Sequence, residues 1–161
     1  IDSSPAMLAQ AKKKLAGTNT IVKKTNLEEK LDFADEYFDR IVSVNTFYTI
    51  KNQAGCLKEF YRIIKTEGRL VISNPNDKYK LRAIFMAQLE ELGWLKFIIK
   101  FLLNLPALSI VLFVNIFFIK KSRFNFLKEE ELAKMLAETG FKILKSQLTY
   151  AGQNLLITAL K

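Results

Sequence analysis

One short apolar run constrains the fold of this chain more than any other stretch. Residues 41–44 read Ile-Val-Ser-Val, the acidic pair Asp35-Glu36 precedes them, and Asn45 follows them. A short apolar run between polar stretches is typical of a buried strand. The pattern predicts a strand that is buried on both faces in the middle of a parallel sheet. Asn45 would lie at its carboxyl end, which is the edge where open α/β sheets bind ligands.

Helical and strand patterns alternate on both sides of this run. In chain order, the other predicted elements are a helix that Ser4-Pro5 opens and Gly17 ends, a strand over 20–24, a helix over 53–65, a strand over 69–73, a helix over 128–139, and two strands over 141–150 and 154–160. Gly68 is expected to take a left-handed conformation that stops the second helix. This alternation predicts a parallel sheet, and the last two strands predict an antiparallel hairpin at its end.

Composition limits the chemistry that this chain can perform. Its 161 residues contain no histidine and a single cysteine, Cys56, so an internal disulfide is excluded and a zinc site or Ser-His-Asp triad is not expected. The 25 basic and 16 acidic residues give a net charge of +9. The basic clusters 12–14, 23–24 and 120–123 are interpreted as solvated surface, and no aromatic-basic pattern typical of nucleic-acid binding accompanies them.

Three segments together point to a family. They read Ile-Asp-Ser-Ser-Pro-Ala-Met-Leu over 1–8, Phe-Asp-Arg-Ile-Val-Ser over 38–43, and Glu-Phe-Tyr-Arg-Ile-Ile-Lys-Thr-Glu-Gly-Arg-Leu-Val-Ile over 59–72. In order and spacing they resemble class I S-adenosylmethionine-dependent methyltransferases of the small-molecule type, well over 1–76 and in outline over 126–161. The resemblance implies an α/β, Rossmann-like, mostly parallel sheet with flanking helices. The family's first strand and glycine-rich loop precede the position of Ile1, so an N-terminally truncated domain is expected.

The resemblance also implies which residues bind the cofactor S-adenosylmethionine. Asp2 and Ser3 stand at the end of the family's second strand, where a carboxylate accepts hydrogen bonds from the ribose hydroxyls. The alternative for Asp2 is an acid that stabilises a helix N-terminus. Met7 would pack on the adenine or serve equally well as a core residue. Asn26 and Leu27 stand in the adenine-binding loop, where Asn26 replaces the family's usual acid.

The remaining implied site residues follow the strand at 41–44. Asn45 and Thr46 would face the methionine part of the cofactor, and Tyr48 and Tyr150 would line the substrate pocket. Asp39 is expected to be structural, holding the start of its strand to neighbouring backbone. No catalytic base or metal ligand is assigned, because methyl transfer depends mainly on alignment and exclusion of water.

The stretch 101–119 contains no charged residue and is almost as long as the roughly 20 residues of a membrane-spanning helix. A single span would separate the strand at 69–73 from those at 141–160, which must share one sheet. Two interpretations are therefore preferred. One is a pair of helices, broken near Pro106, that forms a lid over the substrate pocket. The other is an element over 95–123 that lies in a membrane surface with basic flanks.

These observations predict one partial domain over 1–161, with a cofactor-binding part (1–77), an apolar helical insertion or lid (78–125) and a C-terminal helix and hairpin (126–161). The expected function is methyl transfer to a small apolar acceptor, such as a lipid or quinone, in the cytoplasm or peripherally at a membrane. The alternative is a non-catalytic membrane-peripheral or interaction module of the same fold. An RNA methyltransferase is a weaker third option, and no nucleic-acid partner is expected.

Overall fold

The computed structural model describes residues 1–75, 81–114 and 124–161. The elements in chain order are helix α1 (Pro5–Lys14), strand β1 (Phe38–Val44), a 3₁₀ turn (Phe47–Thr49), helix α2 (Gln53–Ile63), strand β2 (Ile64–Pro75), helices α3 (Leu81–Leu92), α4 (Trp94–Val114) and α5 (Glu129–Thr139), and strands β3 (Lys142–Thr149) and β4 (Asn154–Leu160). The predicted α/β class is confirmed.

The four described strands form one sheet in the order β1-β2-β4-β3. β1 and β2 are parallel, whereas β4 is antiparallel to both of its neighbours. The predicted C-terminal hairpin is therefore confirmed, and the described sheet is mixed rather than mostly parallel. The strand expected over 20–24 is reduced to one parallel bridge between Asp2 and Lys24. Hydrogen bonds from the Asp2 amide to the Lys23 carbonyl (3.3 Å) and from the Thr25 amide to the Asp2 carbonyl (3.1 Å) hold it.

The central position expected for β1 is wrong for the described part of the sheet. β1 lies at the sheet edge, and the side chains of Val42 and Val44 are 65% and 57% exposed. The apolar pattern predicted a strand correctly. It could not show whether another layer would pack on the face of the sheet where these side chains lie, and none of the described strands pairs with the free edge. Asn45 does follow β1, in a left-handed conformation with φ 50°, and its amide donates to the Ser73 carbonyl on β2 at 2.8 Å.

The core lies between one face of the sheet and helices α2 and α5, which also pack against each other. Its most deeply buried side chains include Phe47, Leu57, Ile64, Leu70, Ile72, Leu132, Leu136 and Ile157. Asn52 caps α2 by accepting a hydrogen bond from the Gly55 amide at 3.0 Å. Gly140 ends α5 with φ 107°, as predicted, and the Tyr61 ring lies 3.0 Å from where a Cβ on Gly140 would be.

The end of α2 differs from the expectation. The helix ends at Ile63 and the chain enters β2 directly, so residues 66–68 are not its stop. Glu67, with φ 62°, takes the left-handed conformation that was expected at Gly68. Gly68 is instead needed for close packing, because a Cβ there would lie 2.7 Å from the Ile64 side chain and from the Lys65 carbonyl. The register of β1 against β2 shifts at the same point.

Helices α3 and α4 form the described part of the apolar insertion and pack against each other. The break between them lies at Gly93, which has φ 72°, whereas Pro106 lies inside α4. The helix break expected near Pro106 is therefore wrong, and the end of the apolar run, 115–119, lies outside the described residues. Within the described ranges, no helix combines the length and the hydropathy that a membrane span requires.

Candidate functional site

Two adjacent cavities lie at the carboxyl end and along the free edge of β1. The smaller, about 300 Å³, is formed by residues 1–3, 25–28, 46 and 49–51. The larger, about 570 Å³, is a groove between β1 and residues 21–33. The two share Ile1, Asp2, Leu27 and Thr46 in their walls. Their sizes are typical of small-molecule sites.

Five of the residues predicted to bind a cofactor meet in the smaller cavity. They are Asp2, Ser3, Asn26, Leu27 and Thr46. They come from three segments that are separated by at least 19 residues along the chain. The bridge between Asp2 and Lys24 places the first two segments side by side, and β1 delivers the third at its carboxyl end. The fold therefore brings together side chains from three segments that are far apart in sequence.

The carboxylate of Asp2 contacts the start of α1, and Asp2 also lines the cavity. Its Oδ1 accepts a hydrogen bond from the Ser4 amide at 2.7 Å, just before α1 begins, and Ser4 in turn caps the helix through the Met7 amide at 3.4 Å. The same carboxylate lies in the wall of both cavities. A carboxylate has about four acceptor positions, so the bond to Ser4 leaves capacity for a ligand. Asp2 is thus oriented by the helix start and presented to the cavity.

Asn26 organises the second wall of the smaller cavity. Its Oδ1 accepts from the Glu28 amide at 3.1 Å, and its Nδ2 donates to Glu29 at 2.7 Å. Glu28 accepts a hydrogen bond from the Lys51 amide at 2.7 Å, which ties this turn to the segment after the 3₁₀ turn. The side chain of Asn26 is therefore fixed by its own loop, and its carbonyl oxygen retains a second lone pair for a donor in the cavity.

The sequence analysis missed the other residues of this cavity. They are Ile1, Thr25, Glu28, Thr49, Ile50 and Lys51. Thr25 and Glu28 adjoin the predicted pair Asn26-Leu27, so extending that motif by one residue on each side would have found them. Thr49 to Lys51 depend on the path of the 3₁₀ turn. That path is held by long-range hydrogen bonds from Gln53 Nε2 to the carbonyls of Phe47 (3.1 Å) and Asn125 (3.0 Å).

Four predicted site residues line neither of the two cavities. Met7 is exposed on α1, and Tyr150 is exposed in the turn between β3 and β4, with φ 51°. Asn45 accepts a hydrogen bond from the side chain of Asn154 at 3.1 Å. Tyr48 packs against the rings of Phe124 and Phe126, with centroid distances of 5.2 and 5.1 Å. Of the residues predicted for the ribose and the adenine, all but Met7 therefore line the smaller cavity, whereas neither residue predicted for the methyl-acceptor side does.

Arg62 fixes the loop below the site. Its guanidinium donates to both carboxylate oxygens of Glu59 at 2.8 and 3.0 Å, to the carbonyls of Leu31 and Phe33 at 2.9 and 2.8 Å, and to Asp35 at 2.7 Å. Glu59 also accepts from the Leu31 amide at 2.9 Å. The hydrogen bond from Arg62 is the main reason why the pKa of Glu59 lies below its usual value. This network holds the chain segment that links the wall at 25–28 to β1.

Two other titratable groups have structural roles, the exposed Asp39 and the buried Cys56. Asp39 forms an ion pair with the Lys65 side chain at 2.8 Å rather than the backbone contact that was expected, and this hydrogen bond lowers the pKa of Asp39. Burial, followed by the charge of Glu59, raises the pKa of the Cys56 thiol to about 12. The thiol is therefore protonated at neutral pH and is a poor nucleophile. Within the described ranges, no group of three or more Asp, Glu, Cys or His side chains is placed to hold a metal ion.

Comparison with known proteins agrees with this geometry. Residues 1–72 match the family described as "Methyltransferase domain". A demethylmenaquinone methyltransferase from Thermotoga maritima is 30% identical over 146 residues, which cover 89% of this chain and 58% of that protein.

Solved structures of methyltransferases share the fold of this chain. A SAM-dependent methyltransferase from Aquifex aeolicus superimposes with a TM-score of 0.64 at 15% identity, over 98% of this chain and 65% of that one. A SAM-dependent methyltransferase from Thermotoga maritima, described as a possible histamine N-methyltransferase, gives a TM-score of 0.63 at 20% identity, over 99% of this chain and 70% of that one.

The sheet, its flanking helices and these superpositions define the fold of a Rossmann-like methyltransferase. The chain is similar in sequence and fold to class I S-adenosylmethionine-dependent methyltransferases, and its first 72 residues carry the match to the methyltransferase domain family. The resemblance drawn from the three motifs is thereby confirmed. The chain spans about three-fifths of the length of the curated relative from Thermotoga maritima.

Proposed function

We propose that the protein transfers a methyl group from S-adenosylmethionine to a small apolar acceptor, and that the smaller cavity receives the adenosine half of the cofactor. The observation that carries this proposal is the convergence of Asp2, Asn26 and Thr46 on one cavity at the carboxyl end of β1. The resemblance to the methyltransferase family implies the same three residues for the cofactor. Their meeting in one place supports a shared ligand.

The chemistry of the cavity walls fits adenosine. Asp2 offers a carboxylate to the two ribose hydroxyls, and the carbonyl oxygen of Asn26 offers an acceptor to the adenine amino group. Leu27 and Ile50 provide apolar wall for the base. When bound, the cofactor supplies a sulfonium-activated methyl group. The residues of this chain bind and orient it and exclude water, and none of them is assigned as a base.

Two observations favour an apolar, flat acceptor. The first is a cluster of three aromatic rings, Tyr48, Phe124 and Phe126, whose centroids lie 5.1–5.9 Å apart just beyond the end of β1. The Asn125 amide donates to the Tyr48 carbonyl at 2.8 Å, which holds this cluster against the 3₁₀ turn. The second is the similarity to a demethylmenaquinone methyltransferase. A quinone ring or another apolar aromatic acceptor suits such a surface.

The test is a methyl-transfer assay with S-adenosylmethionine labelled in its methyl group. The enzyme is the longest product of the gene that contains this chain, and the acceptors are demethylmenaquinone and, separately, total RNA. We expect label in the quinone, about tenfold less label with Asp2→Asn, and unchanged label with Asp32→Asn. Asp32 is the matched control because it is an exposed acid outside the smaller cavity, paired with Lys23 at 2.8 Å.

Each other outcome has a definite meaning. Transfer to RNA instead of the quinone would refute the apolar acceptor while retaining the methyltransferase. An Asp2→Asn variant as active as the parent would refute the placement of the ribose. Absence of transfer to either acceptor, together with no binding of S-adenosylhomocysteine, would favour a non-catalytic module of this fold.

A further inference from the structure

Helix α4 is apolar and exposed at the same time. Its large side chains Trp94, Leu95, Ile98, Ile99, Leu102, Leu103, Leu105 and Ile110 are all exposed. A helix that is this apolar is normally covered by protein or lipid, and a contiguous exposed apolar surface marks an interaction site. The described structure therefore presents a surface that needs a partner.

Three of the four polar residues of α4 fall on one stripe, and the fourth, Ser109, lies on the other side and donates its hydroxyl to the Pro106 carbonyl at 2.7 Å. Lys96, Lys100 and Asn104 follow one another at intervals of four residues, which places them along a single face of the helix. Leu95, Ile98, Leu102 and Leu105 lie on the opposite side, at intervals of three and four residues. The helix thus has a basic edge and a wide apolar face. This arrangement is typical of helices that lie in the plane of a membrane surface.

The positive charge of α4 favours an anionic partner. The helix has two lysines and no acidic residue over Trp94–Val114, and the whole chain has a net charge of +9. Anionic lipid headgroups complement such a surface. A second copy of α4 would cover the apolar face but would offer Lys96 and Lys100 no acidic partner, whereas an anionic membrane surface matches both sides of the helix. A zwitterionic membrane surface offers Lys96 and Lys100 no net negative charge.

We propose that α4 docks on an anionic membrane surface, with its apolar face in the acyl region and with Lys96 and Lys100 at the level of the lipid phosphates. Trp94, at the N-terminal end of the helix, would lie at the boundary between headgroups and acyl chains, where tryptophan is enriched. The proposal does not depend on the methyltransferase activity. The sequence predicted an element over 95–123 that lies in the membrane plane, and α4 supplies the contact surface of its described part.

The chain provides its own reporter for this proposal, because Trp94 is its only tryptophan. The full chain is mixed with vesicles of phosphatidylcholine alone, and with vesicles of phosphatidylcholine and phosphatidylglycerol in equal amounts. Binding is measured by sedimentation and by the emission of Trp94. We expect binding and a blue shift with the anionic vesicles, weakening as the ionic strength is raised, and little binding to phosphatidylcholine alone.

Matched variants test the apolar face of α4 and its two lysines separately. Leu102→Glu should lower vesicle affinity at least tenfold, whereas Leu148→Glu on β3 should leave it unchanged. The two leucines are equally exposed, at 57% and 55%, so the cost to the fold is comparable. Lys96→Gln with Lys100→Gln should lower affinity for anionic vesicles roughly thirtyfold, whereas Lys142→Gln with Lys145→Gln, which also removes two exposed charges, should change it much less.

Two results would overturn the proposal. One is vesicle affinity that does not respond to Leu102→Glu or to the lysine pair in α4. The other is concentration-dependent dimerisation that Leu102→Glu abolishes while vesicles bind nothing, which would assign the surface to a second copy of the chain. Circular dichroism of each variant establishes that it is folded. Because no cofactor is added, failure here leaves the proposed methyl transfer untouched.

Discussion

Replacing Arg62 with methionine should destabilise the protein and loosen the wall of the cofactor site together. Methionine retains most of the aliphatic packing of the arginine stem and removes the guanidinium with its five hydrogen bonds. The Leu31 and Phe33 carbonyls then lose their donors, and the Glu59 carboxylate keeps the Leu31 amide but loses its cation.

The magnitude follows from the exposure of each partner. Arg62 and Glu59 are only 22% and 21% exposed, so their two-point ion pair contributes about 1 kcal/mol rather than nothing. The two backbone carbonyls contribute about 1 kcal/mol each. Asp35 is 75% exposed, so its pair adds almost nothing. The expected loss in the free energy of unfolding is therefore about 3 kcal/mol, of which Arg62→Lys should recover about a third.

Urea denaturation followed by circular dichroism measures this loss. For a domain of this size, 3 kcal/mol corresponds to a midpoint lower by roughly 1.5–2 M urea. Lys134→Met is the matched control, because its pair with Glu138 at 3.8 Å is exposed on both sides and should contribute under about 0.5 kcal/mol. Hydrogen exchange should accelerate at residues 31–35 in the Arg62 variant only. A loss below about 1 kcal/mol, or equal losses in the two variants, would refute this reasoning.

Three further predictions concern single groups. The pKa of Glu59 is lowered in the folded protein. The stabilisation that its carboxylate gives the fold is therefore complete above the ordinary pKa near 4.5, and it is lost as the pH falls through the lower pKa of the folded protein. Glu59→Gln should flatten the dependence of stability on pH in that acid range, as measured by urea midpoints. Gly140→Ala should cost about 1–2 kcal/mol in thermal unfolding, because φ 107° is strained for alanine and its Cβ would meet Tyr61, whereas Gly17→Ala, with open space around it, should cost less. The thiol of Cys56, buried and with a pKa raised to about 12, should react with a thiol reagent only in denaturant; rapid labelling of the native protein at neutral pH would contradict this.

The sequence predicted those residues of the smaller cavity whose position depends on local motifs and sheet topology together. Asp2, Asn26 and Thr46 each follow or adjoin a strand-like segment, and the carboxyl ends of parallel elements meet at one edge. The position of Thr49 to Lys51 was beyond such reasoning. It depends on Gln53 and Asn125, which are 72 residues apart in sequence and hydrogen-bond across the turn.

The errors in the predicted fold have physical causes of the same kind. The pattern of residues 41–44 reports the intrinsic preference for a strand, whereas the exposure of Val42 and Val44 depends on what packs on their face of the sheet. Pro106 was expected to break a helix, yet a helix interior can accommodate a proline at the cost of one backbone hydrogen bond. The break lies instead at Gly93, where φ 72° favours glycine.

Three separated segments are proposed to form a binding site for the adenosine half of S-adenosylmethionine. A calorimetric titration of S-adenosylhomocysteine tests this site, with the longest product of the gene, with this 161-residue chain, and with both carrying Asp2→Asn. We expect saturable binding by the longest product, and about tenfold weaker binding when Asp2 is replaced. Absence of binding by every form, or binding that is unchanged by Asp2→Asn, would contradict it.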